Sequence, residues 1–206
     1  MNLSQKIIVV VLIKKKKAEN KMNIFVLHDD PVIAAQMNCD SHVIKITTEV
    51  FQMLGSALRK HGCVDAEMPL TKSGTPLIGG HKNHPVTLWV GRTRSNFLWA
   101  CLHGIALAEE YTYRYGKTHF CLNGLYQMAD MSDRIPAGPQ TPFAQAMPDE
   151  YKSPCAVNSY RDFYWHDKRK NIKCEWKKTR QKPYWWLQWE GLEELCWIDE
   201  AMGFYG

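Results

Sequence analysis

The sequence has no CxxC pair, no phosphate-binding glycine loop, no dinucleotide fingerprint and no internal repeat. It also lacks any apolar run long enough to cross a membrane, the run from Ile7 to Ile13 being seven residues. No Cys or His spacing resembles a zinc finger or knuckle, and a mixed Cys and His site stays open among seven cysteines and eight histidines. The glycine absences remove the common nucleotide-binding folds. The short apolar run precedes its lysines, whereas a secretory signal places charge first and a small-residue cleavage site after. Seven cysteines, odd in number and evenly spread, then fit reduced thiols in a cytoplasm. No metal, no cofactor and no membrane partner are expected, and a monomer is.

What is present is apolar content enough for one core, 45% of 206 residues. The charge is unevenly placed. Residues 1–21 carry six Lys against one Glu, residues 161–182 nine Lys or Arg against three acids, and residues 183–206 five acids with no Lys or Arg. A basic character this local suggests a contact surface for a polyanion. The expected organisation is an extension outside the fold at 1–21, disordered or placed before a true start at Met22. A single helical domain follows at 22–186, then an acidic, Trp-rich tail at 187–206.

The fold class expected is mainly α, with a short N-terminal extended segment and a long Pro-rich strap. Asn23 to Leu27 reads as a short buried strand or extended segment, and Asp29-Asp30-Pro31 opens a helix through Gln36. From Cys39 to His61 the residues Val43, Ile46, Val50, Met53 or Leu54, and Ala57 recur at helical steps, and Gly62 stops them. On that helix His42, Lys45, Glu49, Gln52, Ser56 and Arg59 share an arc beside the apolar stripe, as a cleft wall or a half-exposed helix would. Asp65 to Pro85 is a Gly- and Pro-rich loop. Ser95 caps a second long helix ending near Arg114, with Gly116 as terminator. A further helix spans Thr118 to Met131. The five prolines from Pro136 to Pro154 then impose an ordered strap over the surface.

Ser159 to Trp176 reads as a helix interleaving aromatic with basic residues, followed by Tyr184-Trp185-Trp186. Two readings stand open. Cations neutralise phosphates while rings stack on exposed bases, or the rings pack a core beneath a solvated basic face.

Several segments carry a resemblance. Cys39-Asp40-Ser41-His42-Val43, His84-Pro85 with Trp89, Glu110 to Lys117, Met147 to Lys152, and Tyr160-Arg161 before Phe163-Tyr164 resemble a family of phage-encoded proteins of unassigned function. More remotely, the spacing of Asp40, His42, Glu49 and Gly55, the later His84 to Thr87 segment, the long helix and the basic aromatic end resemble the phage pyrimidine-dimer DNA glycosylase and AP-lyase family. That family is a small all-α fold which binds bent duplex DNA with a base flipped out. The resemblance implies an amine attacking the deoxyribose C1′ to form a Schiff base, with a helix-borne carboxylate, matched by Glu49, stabilising the cationic sugar. His42 matches a histidine of the same helix.

The chain departs from the family at the nucleophile. The family uses a processed N-terminal amine behind a small side chain, and here Asn23 follows Met22. Thr48 and Gln52 stand where the family has arginines, and Lys45, one turn before Glu49, is a candidate replacement amine. An α-amine suits the role better than an unperturbed lysine, whose pKa is about 10.4.

The candidate catalytic residues are thus Glu49, His42 and Lys45. The candidate substrate-binding residues are His84, Arg114, Lys117, Arg161, Lys168, Lys173 and Trp176. An enzyme on DNA bases requires His42, Glu49, His84 and Arg114 to converge on one cleft near an amine. A non-catalytic DNA-binding protein would rest on the basic segment alone. An enzyme on free modified nucleotides would close a small pocket with the strap and Tyr111 to Lys117.

Overall fold

The computed structural model describes residues 22–178 and 180–192, and among these it is mainly α, with no strand and one isolated antiparallel bridge between Leu70 and Pro76. No helix among them is long and apolar enough to cross a membrane. Residues 1–21 and 193–206, where the extension and most of the acidic tail were expected, lie outside the described residues.

Helix α1, Pro31–Met37, starts where Asp30 accepts the amides of Val32 and Ile33 and Pro31 occupies the first turn. Helix α2, Asp40–Lys60, has the expected stripe, with Val43, Ile46, Val50, Met53, Leu54 and Ala57 all buried. It packs along α4, Arg94–Tyr115, which also receives α1 and α5, Leu122–Asp130. The helices meet at Gly104, where a Cβ would stand 2.9 Å from both Val50 and Leu125. Thr93, rather than Ser95, caps α4, because its hydroxyl faces the Asn96 amide while the Ser95 hydroxyl donates to Gly138 O on the strap. Gly116 closes the helix at φ 67°, as expected. A short helix α3, Pro85–Val90, precedes α4; its buried Trp89 and Val90 anchor what the sequence presented only as the end of a loop.

The Gly- and Pro-rich loop packs tightly on α2. Gly80 N donates to Ser56 Oγ, which donates to Gly80 O, and Arg59 Nε donates to Leu77 O. Gly79, at φ 90°, lies so close to α2 that a Cβ would reach 2.4 Å from Ser56 Oγ. The strap is ordered as expected. Asn96 and Thr141 share two hydrogen bonds, Trp89 Nε1 donates to Thr141 O, and Tyr160 OH donates to Ala144 O.

Residues 22–27 are buried and form no strand, the backbone turning at Phe25. Their backbone groups are met by side chains instead: Glu49 accepts from Asn23 N, the Asn23 side chain accepts from Ile24 N and Phe25 N, and Arg161 donates to Leu27 O. His103 bridges Ile24 O and Pro31 O through its two ring nitrogens, and burial draws its pKa down to about 4 against the pull of those carbonyls.

The C-terminal helix ends earlier than expected. Helix α6, Ala156–Phe163, widens into a π-turn at Tyr164–Lys168, closes at Arg169–Asn171, and becomes extended at Ile172. Helix α7, Tyr184–Trp189, runs across the expected boundary between domain and tail, with Trp185, Trp186 and Leu187 buried.

Candidate active site

The arc of α2 divides in two. Its C-terminal half, Gln52, Ser56 and Arg59, is covered by the 77–80 loop. Its N-terminal half, His42 and Lys45, lines a cavity of about 240 Å³ closed by Asn23 and Phe25, by Met147 and Pro148 of the strap, and by Phe163, Lys168 and Asn171 of the α6 end. Glu49 stands behind Lys45, with Oε1 3.3 Å from Lys45 Nζ and Oε2 accepting the Asn23 amide at 2.9 Å. This unites the three candidate catalytic residues, together with a backbone nitrogen that sequence spacing does not reveal.

His42 is 4% exposed, stacks on Phe25 with centroids 4.5 Å apart, and meets Tyr164 edge-on. Burial, reinforced by the charges of Lys45 and Lys168, lowers its pKa to about 3, so the ring is neutral at physiological pH. Its Nδ1 is buried without a hydrogen-bond partner. Phe25, at φ 42°, holds a backbone conformation that bulky residues avoid, and its ring lies between His42 and Phe163. Strain of this kind, about 1–3 kcal/mol, persists where the surroundings over-determine it. Here the turn built on the Asn23 carboxamide fixes it, and Asn23 is itself tied to the strap through Ala146 O.

The expected substrate-binding residues separate. Lys168 lines the cavity, its ammonium 4.3 Å from the Phe163 ring centroid, and pairs with Asp167. Lys173 follows that wall with its side chain 81% exposed, paired to Glu175. His84 caps α3, accepting from Val86 N, and Lys117 is exposed past the end of α4; neither lines the cavity.

Arg114 requires a correction. Its side chain is fully buried, and its donors are taken by Glu110, Asp40, Asn38 O and Gln36 O. Arg180 grips the other side of Glu110. Arg114 is therefore a structural ion-pair centre that no substrate reaches, and convergence of His84 and Arg114 with His42 and Glu49 does not occur.

The same correction applies to the stacking platform. Trp176 donates its indole N–H to Met37 O and packs on Trp186. Tyr164, Trp165, Trp185 and Trp186 form a buried aromatic cluster, with Trp165 and Trp186 edge-to-face at 4.8 Å. Arg161 is held by Leu27 O and the Tyr184 hydroxyl and lies over the Tyr184 and Trp185 rings. The rings thus belong to the core. Of the basic residues, Arg169, Lys170, Lys173, Lys177 and Lys178 remain exposed. Tyr111 to Lys117 does not reach the cavity either, whereas the strap does.

No family model, no curated protein and no solved structure matches this chain.

Proposed function

We propose that the chain is a DNA glycosylase with AP-lyase character, acting on a flipped or damaged nucleotide at the cavity between α2 and the α6 end. The observation that carries this reading is the amine and carboxylate pair, Lys45 Nζ and Glu49 Oε1 at 3.3 Å, beside an enclosed cavity. Glu49 accepts a proton from the ammonium, and the freed amine attacks C1′ of the sugar. The C1′–N bond breaks and the base leaves with the electron pair, taking up a proton. Ring opening gives a Schiff base, and loss of a C2′ proton then expels the 3′ phosphate. Glu49 gives the proton it took from Lys45 to the departing base and, a carboxylate again, faces the cationic sugar, where directed electrostatics are most effective. The neutral His42 offers the base a hydrogen-bonding ring without adding charge. Exposed Arg169, Lys170 and Lys173 supply phosphate neutralisation beside the opening, and a base in a duplex enters only by flipping.

A second amine has its own supporting observation. The Asn23 nitrogen is 2.9 Å from Glu49, so a chain opened between Met22 and Asn23 would present an α-amine at that carboxylate. A free nucleotide is the competing substrate, favoured by the strap's part in enclosing the cavity.

Borohydride trapping tests the reading. The protein is incubated with duplexes bearing an abasic site or a cyclobutane dimer, reduced, and mapped for the residue carrying the sugar. An adduct on Lys45 or Asn23, lost in Glu49→Gln, supports it and names the amine. Duplex binding without an adduct assigns a non-catalytic DNA-binding role. Neither adduct nor binding moves the reaction to free nucleotides.

A further inference from the structure

Two thiols stand just outside the lining of the cavity. Cys39 is the N-cap of α2, one turn before His42, and Cys174 lies on the extended segment three residues past Asn171. The backbone joins next to both, Asp40 N donating to Glu175 O at 2.8 Å. The side chains are in hydrogen-bonding contact with each other. The Cys39 sulfur also accepts from the Tyr164 hydroxyl at 3.2 Å and lies 3.3 Å from Ser41 Oγ, and Tyr164 OH receives the Cys39 amide at 3.0 Å.

These donors converge on one sulfur. Led by the contact from Cys174, they hold the Cys39 thiol down to about 6 against the opposing effect of burial, while Cys174, the donor of that contact, is held well above the ordinary thiol range. The other buried thiols differ: burial pushes Cys101 upward and brings Cys121 to about 12, as expected of inert core cysteines. Cys39 is inaccessible and Cys174 is half-exposed, so a reagent meets Cys174 first.

We propose that Cys39 and Cys174 are an oxidisable dithiol which, on meeting a low-molecular-weight disulfide such as glutathione disulfide, closes into a bond linking the α2 wall of the cavity to its C-terminal wall. The Cys174 sulfur attacks one sulfur of the reagent as its proton passes to Cys39, and the first glutathione leaves as thiolate. Cys39 then attacks the Cys174 sulfur of the mixed disulfide, its proton passes to the medium's thiolate pool, and the second glutathione leaves. One disulfide is reduced for one formed, and the protein gives up two electrons and the one proton that Cys174 carried. Closing the link fixes the start of the helix that carries His42 and Lys45 to the segment that follows Lys168 and Asn171, where Asp40 N already meets Glu175 O. The thiol chemistry stands apart from the glycosylase reading.

The test uses the full chain in buffers of graded reduced and oxidised glutathione, with non-reducing peptide maps and urea unfolding. The expected result is a single link between the peptides holding Cys39 and Cys174, with a higher unfolding midpoint in the linked form. Cys174→Ser abolishes both, and Cys155→Ser, which alters an exposed thiol elsewhere, leaves both intact. The unaltered chain carries the main readout, so a Cys39→Ser variant that fails to fold does not weaken the test. Stable glutathionylation of Cys174 without a link to Cys39, or a link through any other cysteine, overturns the proposal. If the link forms while borohydride traps no adduct, the dithiol stands and the glycosylase reading falls.

Discussion

At the scale of single residues, the side chains that matter most are charged or titratable groups taken from water. Arg114 is held by Glu110, Asp40 and two carbonyls with no exposed surface, so Arg114→Met leaves the Asp40 carboxylate without its ion-pair partner in the core and Glu110 with Arg180 alone. Breaking a buried pair in this way costs about 3–5 kcal/mol. We expect urea unfolding to show that loss, and an unchanged midpoint would disprove the structural role. His42 gives a pH dependence whose sign follows from its lowered pKa, about 3 in the folded chain against an ordinary 6.5. Above pH 6.5 both states are neutral and the group has no effect. As pH falls below 6.5 the unfolded chain takes up a proton that the folded chain refuses, so stability declines toward pH 3 by up to about 1.4 kcal/mol per pH unit. Unfolding midpoints between pH 7.5 and 4.5 should therefore show a steeper decline for the unaltered chain than for His42→Gln. Equal slopes would mean that the ring is charged or hydrated.

At the scale of elements, α2, α4 and α5 cross at Gly104 with no room for a methyl group. Gly104→Ala drives one into Val50 and Leu125, an overpacking worth about 1–3 kcal/mol, even though alanine is the better helix former. A stabilised variant in thermal unfolding would show that the helices part there without strain. Much of this framework was legible in the sequence, because burial imposes a period. Val43, Ile46, Val50 and Met53 mark one face of α2, and Gly116 marks the end of α4 by the conformation it alone adopts cheaply. The site was legible in part. His42, Lys45 and Glu49 share a helix face, and a face can be counted along the chain. The Asn23 amide reaches Glu49 across 26 positions, and such a hydrogen bond leaves no spacing behind it. The aromatic segment misled for another reason: alternating rings and cations serve a stacking platform and a packed core equally well. Only the partners, Trp176 on Met37 O and Trp165 on Trp186, separate the two. Arg114 was misassigned because the groups that satisfy it come from positions 36, 38, 40 and 110, which a local reading does not join.

At the scale of the whole molecule, exposed cations are spread along the described residues, Lys60, Lys72, Lys82 and Lys117 among them, and several gather past the end of α6. The exposed cations Arg169, Lys170 and Lys173 adjoin the cavity wall, while the rings beside them are buried. If duplex DNA binds there, neutralising these three should weaken it for every sequence alike. It should also flatten the dependence of log affinity on log salt by about 2 to 3, because each phosphate that is no longer neutralised keeps its condensed counterion. An unchanged slope would place the DNA elsewhere. Lys45→Met, by contrast, should leave binding within a few fold and remove turnover, as read by strand scission.

The buried stretch at 22–27 bears on how the molecule is made. Its partners Ala146 and Arg161 lie 123 and 134 positions downstream. At a synthesis rate of roughly 5–20 residues per second, they emerge from the ribosome about 6 to 27 seconds after it. For that interval Ile24, Phe25, Val26 and Leu27 have no completed core to enter. The cavity is therefore completed only once its last wall, through Ile172, has been translated.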